Sequence, residues 1–335
     1  MAKRQGCRTV SFDRPVYVSA HAAIVGQKEG EGPLQGTFDM VSGDTHFGQK
    51  TWELAESRMQ RIAIETATGK AGLNLSDLDF ILAGDLLNQC IGSAMASVSS
   101  NIPFIGLYGA CSTMAEGLAV GACLVDGGAA RRLCAAASSH FCAAERQYRF
   151  PLAYGGQRTP TAQWTATAAG AAVLTHDRTP VRITHALFGQ MVDLDVTDAN
   201  NMGAAMAPAA IDTLTAHFND LDIEPSEYDL ILTGDLGVVG SEILVKLMAE
   251  NGLNIAGMHN DCGKLIFDIE AQDVHAGGSG CGCCGSVFCG HVYKLLRQKK
   301  LKKVLLMATG ALMNTMSVQQ GESIPAIAHA VAIKA

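Results

Sequence analysis

Aromatic side chains are scarce in this chain: Phe, Tyr and Trp make up 6% of its 335 residues, and only two are Trp. Abundant Ala and Gly instead suit closely packed helices and tight strand–helix turns, which argues against an aromatic-filled β-sandwich. Basic charge is not in surplus. The formal charge of -7 argues against a nucleic-acid surface, so no nucleic-acid partner is expected. The largest basic block runs from Arg297 to Lys303, just before the apolar strand Val304–Met307. There Lys and Arg complement the carbonyl end of a helix dipole; contact with anionic lipid headgroups is the alternative. A long hydrophobic run is also missing. The tract from Ile105 to Val125 is broken by Glu116 and rich in Gly and Ala, which suits a buried helix better than a membrane span of about 20 apolar residues. No secretory signal is visible, because Arg8, Asp13 and Arg14 interrupt any apolar core after the basic start. Eleven cysteines, an odd number scattered through a large chain, point to a reducing compartment and a soluble protein.

What is present is a repeat. Ser76–Leu86 reads SDLDFILAGDL and Ser226–Leu236 reads SEYDLILTGDL, with seven of eleven positions identical. In each copy an apolar run of strand length ends in Gly-Asp, after a segment of helical spacing (61–72 and 211–218). The pattern predicts a duplicated α/β protein whose halves, 1–175 and 176–335, each supply one strand end, Asp85 or Asp235, to a shared site.

Along the chain, 1–48 reads as an irregular or β-rich opening with a strand at Pro15–Ser19, and 27–33 as a loop too polar to pack. Helices are predicted over 51–69 and 114–125, and strands over 80–84, 104–107, 132–137, 230–233 and 304–309. The Gly/Thr/Arg-rich stretch 140–173 is a candidate binding insertion. No flexible linker separates the halves.

Gly109-Ala-Cys-Ser-Thr113 places Cys111 at a strand-to-helix turn, where free N–H groups and the helix dipole lower a thiol's pKa. Acyl-transfer enzymes present a nucleophilic Cys this way; a buried structural Cys is the plain alternative. Cys281, Cys283 and Cys284 with Cys262 lack the two separated knuckles of a structural zinc site, and no resident metal is expected. Met202, Met206 and Met248 read as core. Gly277–Gly280 lacks the Gly-Lys-Ser/Thr that would complete a phosphate loop.

The duplicated halves, GACST at a helix start and the late Ala308-Thr-Gly310 resemble the thiolase fold, an α/β fold of five αβαβα layers shared by thiolases and β-ketoacyl-acyl carrier protein synthases. The resemblance narrows with EGPL (31–34), LAGDLLNQ (82–89), SSH (138–140), AERQYRFPLAYGGQ (144–157) and DLDVTDANNMGAAMAPAA (193–210). HNDCG (259–263), AGGSGC (276–281) and ESIPAIAHA (322–330) continue it. In order and over nearly the full length, these strings are similar to the stage V sporulation protein AD family of spore-forming bacteria. That resemblance implies a non-catalytic protein that binds dipicolinic acid for its movement into and out of the spore core in sporulation and germination. It implies membrane-embedded partners, the other stage V sporulation A-operon proteins. It places the chain in the cytoplasm or forespore, held peripherally at the spore inner membrane. The wider fold family implies a homodimer.

A condensing enzyme with Cys111 as nucleophile is the alternative. Such an enzyme needs a His, and a second His or Asn, to hold the thioester oxygen and move protons. The matching strand end carries Asp235, whose carboxylate would repel an oxyanion, while His259 and His275 are conceivable replacements. For a flat aromatic dianion, the helix start at Cys111 and Ser112 offers N–H donors, Arg146 and Arg149 could clamp a carboxylate, and His140 is a neutral donor. Asp85, Asn88, Asp235, Gly278 and Ser279 complete the expected ligand set. No cofactor is expected; calcium accompanying the ligand would explain the carboxylates.

Overall fold

The structure, a computed structural model, describes residues 2–98, 100–148 and 155–335. Strands β1 (Thr9–Gly26), β2 (Phe80–Gly84), β3 (Phe104–Gly106), β4 (Arg132–Ser139) and β5 (Ala168–Thr175) form the first half. The second holds β6 (Arg182–Leu187), β7 (Leu230–Thr233), β8 (His259–Asp261), β9 (Lys303–Ala311) and β10 (Ala326–Lys334). Their order is β3-β2-β4-β5-β1 and β8-β7-β9-β10-β6. Counted within its own half, each therefore reads 3-2-4-5-1. In both, the second strand pairs parallel with the third and fourth, and the fifth runs antiparallel to its neighbours. The repeat read from eleven residues is thus a repeat of whole topology.

The opening segment is β-rich, the second of its two expected forms, and the strand expected at Pro15–Ser19 is part of a longer one. β1 is 18 residues long and joins the halves, pairing with β6 near its start and β5 along the rest. Val16, Val18, Ala22, Ala23 and Val25 on it are buried. The polar loop after it also packs: Gln27–Gly30 is a short helix, and Glu29 is buried with its carboxylate accepting the Thr167 N–H at 2.9 Å. A satisfied hydrogen bond lets one carboxyl group enter an otherwise apolar wall.

Seven helices set the layers: α1 (Trp52–Lys70), α2 (Ile91–Ser97), α3 (Thr113–Asp126), α4 (Phe141–Tyr148), α5 (Met202–Leu221), α6 (Gly237–Glu250) and α7 (Cys281–Val287). α1 starts at Thr51, whose hydroxyl accepts the Leu54 N–H, and covers the outer face of the first half. α5 covers the outer face of the second, with α6 packed beside it. α3 touches strands of both halves, and α7, from the second half, rests on β4 and β5 of the first. Three apolar cores result, one around the central helices α3 and α7 and one under each outer helix layer. β4 and β5 are covered on both faces, which explains their Ala-rich runs without polar alternation. Contact there is backbone to backbone: a Cβ at Gly170 would lie 2.3 Å from the carbonyl of Gly285.

One repeated aspartate does the same work twice. Asp79 accepts the N–H groups of Arg131 (2.6 Å) and Arg132 (3.0 Å), and Asp229 those of Lys302 (2.6 Å) and Lys303 (2.9 Å). Each ties the lead into the second strand of its half to the start of the fourth. No described helix is long and apolar enough to cross a membrane.

Candidate functional site

Cys111 sits in a tight turn, Ala110–Ser112, that opens directly into α3. Ala110 has φ +48, a left-handed conformation that costs a non-glycine residue about 1–3 kcal/mol. The turn is held by its own hydroxyls: Ser112 donates to the Gly109 carbonyl (2.6 Å) and Thr113 to that of Ala110 (2.7 Å). β9 passes directly behind. A Cβ at Gly310 would stand 2.0 Å from the Gly109 carbonyl oxygen, so glycine in Ala308-Thr-Gly310 lets the turn rest on the strand.

The thiol faces a cavity of about 300 Å³. Cys111, Tyr108, Glu145, Thr165, Asn200 and Ser279 bring its polar groups; Leu86, Met202, Met313 and Val318 bring much of its apolar wall. Behind the thiol lies Asp235, fully buried. Its carboxylate accepts the Gly280 N–H (2.8 Å), the Ser279 hydroxyl (3.1 Å) and the Thr309 hydroxyl (3.2 Å). The Cys111 side chain lies close enough to the same group to feel its charge. Gln163 braces the arrangement by donating to the carbonyls of Asp235 (2.7 Å) and Gly278 (2.8 Å). Further in, Asp261 accepts from the Thr233 hydroxyl (2.6 Å) and the Leu236 and Gly237 N–H groups. Burial, with Asp235 nearby, pushes its carboxyl up to about 7.

The electrostatics reverse the expectation of an acidified thiol. Burial and then the Asp235 carboxylate push the Cys111 thiol well above its usual range. A thiolate beside that carboxylate in a buried setting costs more than the helix dipole returns.

Asp85 is not at this site. Its carboxylate accepts the Leu87 N–H (2.9 Å) and both the N–H (2.7 Å) and hydroxyl (2.6 Å) of Ser93, holding the start of α2. Beside it Ser138 donates to Glu56 (3.0 Å), and the Gln60 amide bridges Ser93 and Ser138. The expectation that both repeat aspartates converge is therefore corrected: Leu86 reaches the cavity, Asp85 turns back into its own half.

Asn88 is exposed and does not line the cavity. Ser112 is buried in the turn rather than presented to the cavity. His140, expected near Cys111, lines a separate cavity with Lys28, Thr45 and Trp164. It meets the Thr45 carbonyl through Nε2 (2.8 Å), and α4 carries Ala144 and Glu145 to the Cys111 side instead. Arg146 pairs with Glu53 of α1 and does not line the cavity. Arg149 lies outside the described residues. Ser279 lines the cavity, and Gly278 contributes through its carbonyl to Gln163. His259 is hydrogen-bonded to Thr233 (3.0 Å), and His275 lies 3.6 Å from Asp273; neither lines the cavity. Met206 and Met248 are core, whereas Met202 is on the cavity wall. Cys281 donates to the Ser138 carbonyl (2.9 Å), and no group of three metal-ligating side chains converges among the described residues.

Sequence reasoning missed Tyr108, Glu145, Thr165, Asn200 and Met313. Glu145 and Asn200 stand inside strings that carried the family resemblance, which was the available signal.

The fold is shared with solved structures of low sequence identity. Over 96% of this chain and all of the other, it aligns with 3-oxoacyl-[acyl-carrier-protein] synthase III of Aquifex aeolicus at TM-score 0.56 and 12% identity. Cerulenin-bound OleA of Xanthomonas campestris gives 0.59 and 14%, over 97% and 98% of the chains. Human mitochondrial 3-ketoacyl-CoA thiolase gives 0.57 and 10%, over 96% and 98%. These likenesses establish the thiolase fold. In sequence the chain is 45% identical over 329 residues to stage V sporulation protein AD of Bacillus subtilis, covering 98% of this chain and 97% of that one. The stage V sporulation protein AD family model matches residues 6–334. On its sequence from end to end, the chain belongs to the stage V sporulation protein AD family.

Proposed function

We propose that the chain binds dipicolinic acid in the cavity beside Cys111, as a non-catalytic component of the spore's dipicolinate uptake and release machinery. The observation that carries this reading is the fully buried Asp235 carboxylate, held by Gly280, Ser279 and Thr309 beside Cys111. It keeps the sulfur protonated and would repel the oxyanion of an acyl-transfer step. Among the described lining residues there is no imidazole to move a proton.

The remaining groups suit a small ring with polar edges. A cavity of about 300 Å³ is at the small end for ligand sites. It offers hydroxyl and amide groups from Tyr108, Thr165, Ser279 and Asn200 against apolar walls. Glu145 lines it and Asp235 backs it, while no Lys or Arg is among the described lining residues. This favours a ligand with masked charge, either the protonated acid or the calcium chelate. Delivery across the membrane falls, in this reading, to membrane-embedded partners of the same operon, with this chain held at the inner membrane surface.

Calorimetric titration with dipicolinate, run with calcium and with chelator, tests the proposal; benzoate and isophthalate are controls. Saturable binding that disappears in Cys111→Trp supports it. No heat under either condition removes it.

The condensing-enzyme reading keeps one observation in its favour: Cys111 meets a cavity at a helix start, in a fold shared with proteins described as a synthase and a thiolase. It requires an acyl adduct on Cys111 after exposure to acyl-CoA, absent in Cys111→Ser.

A further inference from the structure

A second cleft, with no lining residue in common with the Cys111 cavity, is bordered by Ser19, His21, Lys70, Lys294, Arg297 and Gln298. It encloses about 580 Å³. Three cations meet there in a chain whose net charge is -7, and exposed Lys299 and Lys300 follow Arg297 and Gln298. Their internal partners do not use up their donors. The Lys70 ammonium donates to the His21 carbonyl (3.0 Å) and the Asp39 carboxylate (2.5 Å), which leaves one N–H. Lys294 donates to the Thr37 carbonyl, which leaves two. No carboxylate pairs with Lys294 or Arg297 among the described residues. Asp39 is thus the single acidic group bonded to the three cations.

His21 adds a second, independent sign. Its ring is buried against Tyr293, centroids 4.0 Å apart, and its Nδ1 is buried without a hydrogen-bond partner. Burial, then the charge of Lys70, hold the imidazole down at about 4. A bound anion would offset that repulsion and bring the imidazole back toward its ordinary range.

We propose that this cleft binds a phosphate-class oxyanion between Lys70, Lys294 and Arg297. Ammonium and guanidinium groups converging with spare N–H donors form the charge-assisted contacts that such oxygens accept. A soluble phosphate and a lipid phosphate headgroup share this chemistry, and the test separates them.

Inorganic pyrophosphate is titrated calorimetrically at low salt into the full chain, Lys294→Gln/Arg297→Gln, Gln298→Glu and Cys111→Trp. In parallel, the same proteins are sedimented with phosphatidylglycerol and with phosphatidylcholine vesicles. Circular dichroism confirms that each variant is folded. Binding should weaken at least about tenfold in the Lys294/Arg297 and Gln298 variants and stay unchanged in Cys111→Trp. Saturable pyrophosphate binding assigns a soluble ligand; preference for phosphatidylglycerol without it assigns a headgroup. The proposal is overturned if neither probe binds, or if the cleft variants bind as well as the parent.

Discussion

Asp85 and Asp235 occupy the same position of a repeated eleven-residue string, yet one caps a helix within its own half and the other lies beside Cys111 of the opposite half, raising its thiol pKa. Duplication supplied two equivalent strand ends, and only the second sets its aspartate beside Cys111.

Replacing the carboxylate at Cys111 should free the thiol. Asp235→Asn keeps an oxygen for the Gly280 N–H but removes the negative charge that, after burial, raises the thiol pKa. A lower pKa means more thiolate at a given pH. Alkylation of Cys111 by iodoacetamide at pH 8, followed by peptide mass mapping, should accelerate about threefold per unit of pKa lowered, the gain in thiolate being partly offset by its weaker nucleophilicity. Equal rates in parent and variant would mean that Asp235 does not control the sulfur.

The paired aspartates of the fold should be worth similar amounts. Asp79→Ala and Asp229→Ala each remove an acceptor for two backbone N–H groups, at about 1–2 kcal/mol for such partly exposed sites. Urea unfolding of the two variants measures this; a loss in one half only would break the structural equivalence. The hydrogen bonds to Lys303 and Lys302 hold the Asp229 carboxyl below its usual range. Its contribution should therefore be present above the unfolded carboxyl pKa near 4 and fade as pH falls through the lower folded value.

Glu29 should show the opposite sign. Burial pushes its carboxyl up to about 7, so the native state holds a proton that the unfolded chain releases near pH 4 to 5. Its stabilising protonation is complete below that range and lost as pH rises through about 7. Glu29→Gln, which can still accept the Thr167 N–H, should melt above the parent at pH 8 by an amount on the order of 2 kcal/mol and converge with it at pH 5. Parallel melting curves across that interval would refute the assignment.

Packing of α7 on β5 should tolerate no side chain. A Cβ at Gly170 would fall within 2.3 Å of Gly285 backbone atoms, and neither strand nor helix has a flexible end to move aside. Gly170→Ala should cost about 3 kcal/mol or more, or fail to fold. Gly128→Ala has open space and serves as the comparison: there only the φ of +78 opposes the change, at about 1 kcal/mol. Thermal unfolding that ranks Gly128→Ala below Gly170→Ala would contradict the packing described.

The layered architecture was legible because its signals are local or periodic. Apolar runs ending in Gly-Asp gave β2 and β7, and the tract around 114–125 gave α3. β1 was not legible as the strand joining both halves. Its Ser, Asp and Arg positions near the start read as surface, and its partners β5 and β6 lie about 150 residues away.

By itself the sequence determined a duplicated α/β chain, Cys111 at the head of a buried helix, and membership of one family, since each depends on spacing and identity along the chain. Tertiary structure alone decided that Asp235 rather than Asp85 meets Cys111, that His140 faces another cavity, that Arg146 belongs to Glu53, and that Glu29 is buried. Those outcomes depend on which strand ends and helices are brought together across the sheets, and a buried polar group takes its partner from that geometry rather than from its neighbours in sequence.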